Sequence, residues 1–132
     1  MSRRLTYLDS SAIVKLVVSE AESGGLRQWI QDTDVLTSCA LVRTEVPRAA
    51  RPHGPHALRE ALRLINGLEV IALDDRLLDE AALVDPLVIR SLDAIHLAAA
   101  RSIGRDLEAF VTYDQRMLEG ARLLGLPTAT PI

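Results

Sequence analysis

Apolar and polar positions fall in short blocks along the chain, and the block type switches repeatedly from strand-like to helix-like. Leu5-Thr-Tyr-Leu8 is an apolar run of strand length, whereas from Asp9 onward Ala12, Ile13, Leu16 and Val17 recur at helical spacing. Asp9, Ser10 and Ser11 at the change-over are helix-start residues, so Asp9 is predicted at the carboxyl end of a strand. Ala21-Glu-Ser-Gly-Gly25 punctuates the chain before a second helix with Leu26, Trp29 and Ile30 as its apolar positions, ended by Asp32-Thr-Asp34. Val35-Leu-Thr-Ser38 predicts a second strand, with Ser38 able to cap the next helix.

That helix begins near Ala40 and carries Leu41, Val42, Val46 and Ala49 on one stripe, with Glu45 inside the stripe and Pro47 expected to kink it. Arg51-Pro-His-Gly-Pro-His56 reads as a loop; its two histidines have no further metal ligand nearby. A helix follows over 57–65, stopped by Asn66-Gly67, then a strand over 68–73. Asp74 and Asp75, which capping explains, lead into a helix with Leu77, Leu78, Ala81 and Ala82 that Asp85-Pro86 ends. Ser91 is placed as the cap of a further helix, with Asp93 in its first turn and Gly104 at its close. Ala109-Phe-Val-Thr-Tyr113 predicts a strand ending at Asp114, which opens a helix carrying Met117, Leu118, Ala121 and Leu124. Gly125 ends that helix, and 126–131 reads as a short edge strand, where prolines are tolerated.

Strands alternating with helices predict an α/β domain, and 132 residues suffice for one domain spanning 1–132 with its own core. No apolar run approaches a membrane span and no apolar signal core follows the first arginines, so a cytoplasmic protein with no membrane partner is expected. Cys39 is the sole cysteine, which excludes an intrachain disulfide and a cysteine-built zinc site.

Parallel strands joined by right-handed crossovers put their carboxyl ends on one side of the sheet, where ligands bind in such folds. Asp9 and Asp114 both stand at such ends; Glu45 and Asp93 lie near helix starts, which open onto the same edge. Each acid alone has a plainer reading. Asp9 can simply cap its helix, Glu45 can sit at a boundary paired with Arg43 or Arg48, and Asp93 suits a helix dipole. Together they repel one another unless cations stand between them, and oxygen-only ligation suits Mg²⁺ or Mn²⁺ rather than zinc. The formal charge of −3 argues against a nucleic-acid partner until these four acids are set aside, after which the 15 basic residues balance the rest. His96, one turn after Asp93, reads as a packed, hydrogen-bonded histidine.

Leu8-Asp9-Ser-Ser-Ala12, Arg43-Thr-Glu45, Leu92-Asp93-Ala-Ile-His-Leu-Ala98 and Val111-Thr-Tyr-Asp114, in that order, resemble the PIN-domain ribonucleases, specifically the VapC toxins of bacterial and archaeal toxin–antitoxin pairs. The resemblance runs over essentially the whole chain. It implies a three-layer α/β/α sandwich with a central, mostly parallel sheet and Mg²⁺- or Mn²⁺-dependent endoribonuclease activity. It also implies a cognate VapB-type antitoxin, a homodimer, and contact with operator DNA only through the antitoxin. By position, Asp9 and Asp93 are the implied principal metal ligands, and Asp114 completes the metal site directly or through water. Glu45 ligates the metal or orients the attacking water, and Thr112 and Ser11 support the acids by holding a water or a phosphate oxygen.

The implied reaction is attack of metal-activated water on an RNA phosphodiester, leaving a 5′-phosphate and a 3′-hydroxyl. A histidine-driven ribonuclease would use the 2′-hydroxyl and leave a cyclic phosphate, which separates His96 from the quartet as the active group. Arginines at the rim, such as Arg43, Arg48 or Arg51, are expected to meet the RNA. Three alternatives stand beside this one. A non-catalytic PIN-like binding module would keep the fold alone, and a DNA-directed nuclease would keep the chemistry. A signalling receiver domain needs a lysine near its last strand, and here the only lysine is Lys15 in the first helix.

Overall fold

The protein was analysed as a computed structural model that describes residues 3–132. Five strands form one sheet: β1 (Leu5–Leu8), β2 (Val35–Cys39), β3 (Glu69–Ile71), β4 (Leu107–Val111) and β5 (Thr128–Ala129). Their spatial order is β3-β2-β1-β4-β5, and every pairing is parallel. Seven α-helices cover its two faces: α1 (Ser10–Val17), α2 (Ser23–Trp29), α3 (Val42–Ala50), α4 (Pro55–Asn66), α5 (Asp75–Ala82), α6 (Ser91–Ile103) and α7 (Gln115–Leu123).

Alternation along the strands divides the core in two. Leu8 and Val111 point into a cluster with Ile13, Leu26, Val46 and Ile65 from α1 to α4, whereas Tyr7 and Phe110 point into one with Leu77, Leu97 and Met117 from α5 to α7. The Tyr7 and Phe110 rings stack at 5.2 Å across the β1–β4 pair. The result is the expected three-layer α/β/α sandwich.

Several element boundaries differ from the sequence reading, each for a local reason. The stretch around Gly25 is the start of α2 rather than a break. Gly25 lies against the end of the chain, and a Cβ there would come within 2.5 Å of the Ile132 carbonyl, so the glycine serves close approach. Ser38 is buried within β2 and caps nothing. The loop predicted over 51–56 is a short 3₁₀ turn (Arg51–His53) followed at once by α4, which Pro55 opens; Gly54, at φ 102°, makes the bend. Ser91 is the first helical residue of α6 and Arg90 holds the cap position without a side-chain bond.

The buried stripe of α3 is Val42, Val46 and Ala50, so Ala49 is exposed and Glu45 sits at the stripe's edge rather than within it. The helix runs through Pro47 to Ala50. β3 and β5 are shorter than predicted: β3 pairs only with Thr37 to Cys39, and β5 lies between two prolines that cannot donate to a ladder. β4 ends at Val111 because the next backbone N–H groups turn to side chains, Tyr113 to Ser11 Oγ at 3.0 Å and Asp114 to Thr112 Oγ1 at 3.1 Å. No helix among the described residues is long and apolar enough to cross a membrane.

Candidate active site at the carboxyl edge of the sheet

The strand order reverses direction between β1 and β4, and in open parallel sheets this switch point is where a crevice opens at the carboxyl edge. Asp9 follows β1 and Asp114 follows β4, each as the cap of the helix it precedes. Glu45 is in the first turn of α3, which leaves the carboxyl end of β2. Asp93 is in the first turn of α6, which runs back from that edge to the start of β4. The topology therefore delivers four carboxylates from four elements to one edge.

Asp9 is nearly fully buried, at 2% exposure. Its Oδ1 accepts from Ser11 Oγ at 2.7 Å and from the Ala12 amide at 3.0 Å, and its Oδ2 accepts from Thr112 Oγ1. Burial pushes its pKa up, and these bonds only partly oppose the rise. A carboxylate has about four acceptor positions, so three bonds leave room for one more partner.

Glu45 Oε1 accepts from Ser10 Oγ at 2.6 Å and from His96 Nε2 at 2.8 Å, while no bond among the described residues reaches Oε2. Burial works against its ionisation, but the bonds from His96 and Ser10 outweigh it and hold the pKa below the usual range. His96 is buried, and its Nδ1 shares a 2.7 Å hydrogen bond with Tyr7 Oη. Burial pushes the imidazole down, but its bonds to Cys39 and Glu45 prevail and raise it, which favours an imidazolium donating from both nitrogens.

Asp93 differs from both. It is half-buried and its carboxylate accepts no hydrogen bond among the described residues. Burial raises its pKa first, and the neighbouring Asp114 and Glu45 charges raise it further. Asp114 is exposed, and its Oδ1 accepts from the Arg116 and Met117 amides at 2.9 and 3.2 Å. Asp93 and Asp114 together line a cleft of about 430 Å³ with Arg90, Gln115 and Arg116.

Among the described residues no three acids, histidines or cysteines stand close enough to form a ready-made metal cage. The donor set nonetheless suits a hard cation: the free positions are all carboxylate oxygens, on Asp9, Glu45, Asp93 and Asp114, and no lysine balances them. Ser11 and Thr112 both donate to Asp9 itself, rather than standing open toward a water or a phosphate oxygen. Ser10, His96 and Tyr7 were not assigned to the site from sequence. Successive hydroxyls after Asp9 were the available signal for Ser10, since neighbours on a helix point about 100° apart and so reach different acids. The arginines lining the acidic cleft are Arg90 and Arg116, while Arg43, Arg48 and Arg51 lie exposed along α3 and its following turn.

The sequence model of the PIN domain matches residues 6–123. Ribonuclease VapC47 of Mycobacterium tuberculosis is 43% identical over 133 aligned residues, covering 96% of this chain and 97% of the relative. Ribonuclease VapC46 of the same species is 44% identical over 125, covering 95% and 96%. Among solved structures, M. tuberculosis VapC20, described as a sarcin–ricin loop cleaving toxin, superposes with a TM-score of 0.74 at 19% identity, covering 96% of this chain and 99% of that one. A toxin–antitoxin complex from Klebsiella pneumoniae superposes at 0.70 with 18% identity, covering 96% and 98%. With the fold, the match from β1 to α7 and full-length relatives above 40% identity in agreement, the chain belongs to the PIN domain family, among its VapC ribonucleases.

Proposed function

We propose that the protein is the endoribonuclease toxin of a toxin–antitoxin pair and hydrolyses RNA phosphodiesters with the help of Mg²⁺ or Mn²⁺. The observation that carries this is Asp93: a half-buried carboxylate with no hydrogen-bond donor among the described residues, facing two further acids. Such a group is costly to keep ionised unless a cation meets it. Asp93, Asp114 and the open position on Asp9 are the groups that would hold the ion, with Glu45 Oε2 left to the attacking water. When bound, the ion would lower the pKa of water and neutralise charge growing on the phosphate.

Glu45, kept ionised by His96 and Ser10, orients the attacking water and takes up its proton. The new bond forms between water oxygen and phosphorus, the bond to the 3′ oxygen breaks, the departing oxygen takes a proton from a solvent water, and Glu45 returns its proton to solvent. The products carry a 5′-phosphate and a 3′-hydroxyl. Ser11 and Thr112 keep Asp9 from turning away as charge builds.

The ribonuclease names of the full-length relatives support the RNA substrate, and solved toxin–antitoxin complexes of the same fold support a VapB-type antitoxin as partner, with operator DNA met only through that antitoxin. A homodimer and a cytoplasmic location accompany this reading. The test is digestion of total RNA by the purified protein with Mn²⁺, with EDTA, and with Asp93→Asn. Cuts that bear 5′-phosphates and vanish with EDTA and in the variant are expected. Cyclic-phosphate ends or cutting in EDTA would refute the mechanism, and inert RNA would favour a DNA substrate or a binding module.

A further inference from the structure

Beside the acids lies a cavity of about 310 Å³ that shares Asp93, Arg90 and Arg116 with the cleft and continues away from it between Pro86, Val88, Ile89 and Leu123. Its apolar part is open to solvent: Val88 is 78% and Leu123 71% exposed. Neither guanidinium pairs with a carboxylate within 4.0 Å or makes a side-chain hydrogen bond among the described residues. Two unengaged arginines at the junction between an acidic centre and an apolar recess match a ligand with a charged and an apolar end.

We propose that this cavity is a nucleotide subsite, rested on the ribonuclease reading above: Arg90 and Arg116 hold a phosphate next to the cleaved one, and the unpaired base beyond it enters the recess. Two observations favour a nucleotide. Guanidinium forks suit phosphate oxygens. The volume lies at the small end of the range for compact-ligand sites, about 300 to 1,000 Å³, which suits one base. Aromatic platforms, the usual means of holding single-stranded bases, are missing from this edge. Tyr7 and Phe110 are fully buried, and Tyr113 is tied to the Pro131 carbonyl at 2.6 Å with Lys15 over its ring. A base near the acids is left with guanidinium planes and aliphatic walls. Glu119, the other acid in the lining besides Asp93, weakens the hold on phosphate.

The experiment uses the full chain and a labelled single-stranded RNA carrying one cleavage site, with an abasic ribose walked along it. Binding is read by anisotropy in Ca²⁺ and cleavage in Mn²⁺. Arg90→Ala and Arg116→Ala should each weaken binding about tenfold. Val88→Trp, at an exposed position that folding tolerates, should fill the recess and weaken binding several-fold. One abasic position should weaken binding to the native protein several-fold and cause no further loss in Val88→Trp, and Glu119→Gln should tighten it. A flat abasic scan, or full RNA binding by Val88→Trp, overturns the subsite and leaves the recess to a protein segment. The two readings fail separately: base-dependent binding without Mn²⁺ cleavage refutes the nuclease, and cleavage without base dependence refutes only the subsite.

Discussion

Asp9 and Glu45 make up a clamped half of the acidic centre, and Asp93 and Asp114 an open half. The clamped acids are each met by two side-chain donors: Ser11 and Thr112 on Asp9, Ser10 and His96 on Glu45. Among the described residues Asp93 accepts nothing and Asp114 accepts only the amides it caps. The clamped half is therefore set by folding itself, because its donors come from α1, α6 and the residue just past β4, which the two cores hold in place. The open half has no such side-chain donors among the described residues, and like charge raises Asp93 rather than stabilising it. Geometry is stored on one side and unpartnered negative charge on the other.

The largest effect should come from the open half. Asp93→Asn should lower cleavage by on the order of 10²–10³-fold or more, as loss of a group that acts on developing charge does. The same change should raise the melting temperature of the metal-free protein, since it removes a carboxylate repelled by Asp114 and Glu45. A lowered melting temperature would show that Asp93 is held by contacts of its own and would erase the distinction between the halves. Metal should act in the opposite sense. Mn²⁺ at about 100 times its dissociation constant should stabilise the native protein by about 2.7 kcal/mol in thermal unfolding, and EDTA should remove this. Asp93→Asn should lose most of the increment. An equal Mn²⁺ shift in both proteins would place the ion elsewhere.

On the clamped side the signs reverse. Thr112→Val takes the donor from Asp9 Oδ2 and the acceptor from the Asp114 amide, at constant shape. It should cost about 1–3 kcal/mol of stability with or without metal. Cleavage should fall about 10- to 100-fold, as is usual for groups that orient ligands. A variant that melts like the native protein while losing activity would mean that Thr112 acts on substrate rather than on Asp9.

The clamped and open halves were unequally legible in the sequence. Asp9 and Asp114 could be placed because the change of period at Asp9 and the strand ending before Asp114 fix them at strand ends, and parallel topology does the rest. The clamps were only half visible. Ser11 and Thr112 stand beside acids in the chain, but His96 reaches Glu45 across 51 positions and Tyr7 reaches His96 across 89, contacts that only tertiary packing brings about. Glu45 illustrates the limit of periodicity: the sequence puts it inside a stripe of Leu41 and Ala49, whereas packing turns α3 so that Val46 and Ala50 are buried. Gly25 shows another. Glycine reads as a break when its neighbours are polar, yet here it makes room for Ile132, a contact between distant parts of the chain.

The smallest predicted effect sharpens the comparison most. Glu45 Oε1 has two donors, Ser10 at 2.6 Å and His96 at 2.8 Å, so removing the hydroxyl leaves one bond and the paired charge. Ser10→Ala should therefore reduce kcat only about tenfold, the low end, roughly 1.5 kcal/mol, of the worth of a hydrogen bond to a charged group, with KM unchanged. His96→Asn gives the complementary case. Its amide can take the place of Nδ1 toward Tyr7 but is too short to reach Glu45, so the core contact survives while the clamp opens. His96→Gln, whose amide reaches the Nε2 position, should recover part of the activity lost by the asparagine variant. If asparagine and glutamine behave alike, His96 serves packing alone, and Glu45 is held by Ser10. If glutamine recovers activity and Ser10→Ala is mild, orientation of Glu45 depends on the buried donor, and the clamp is anchored in the core beneath the sheet's edge rather than at its surface.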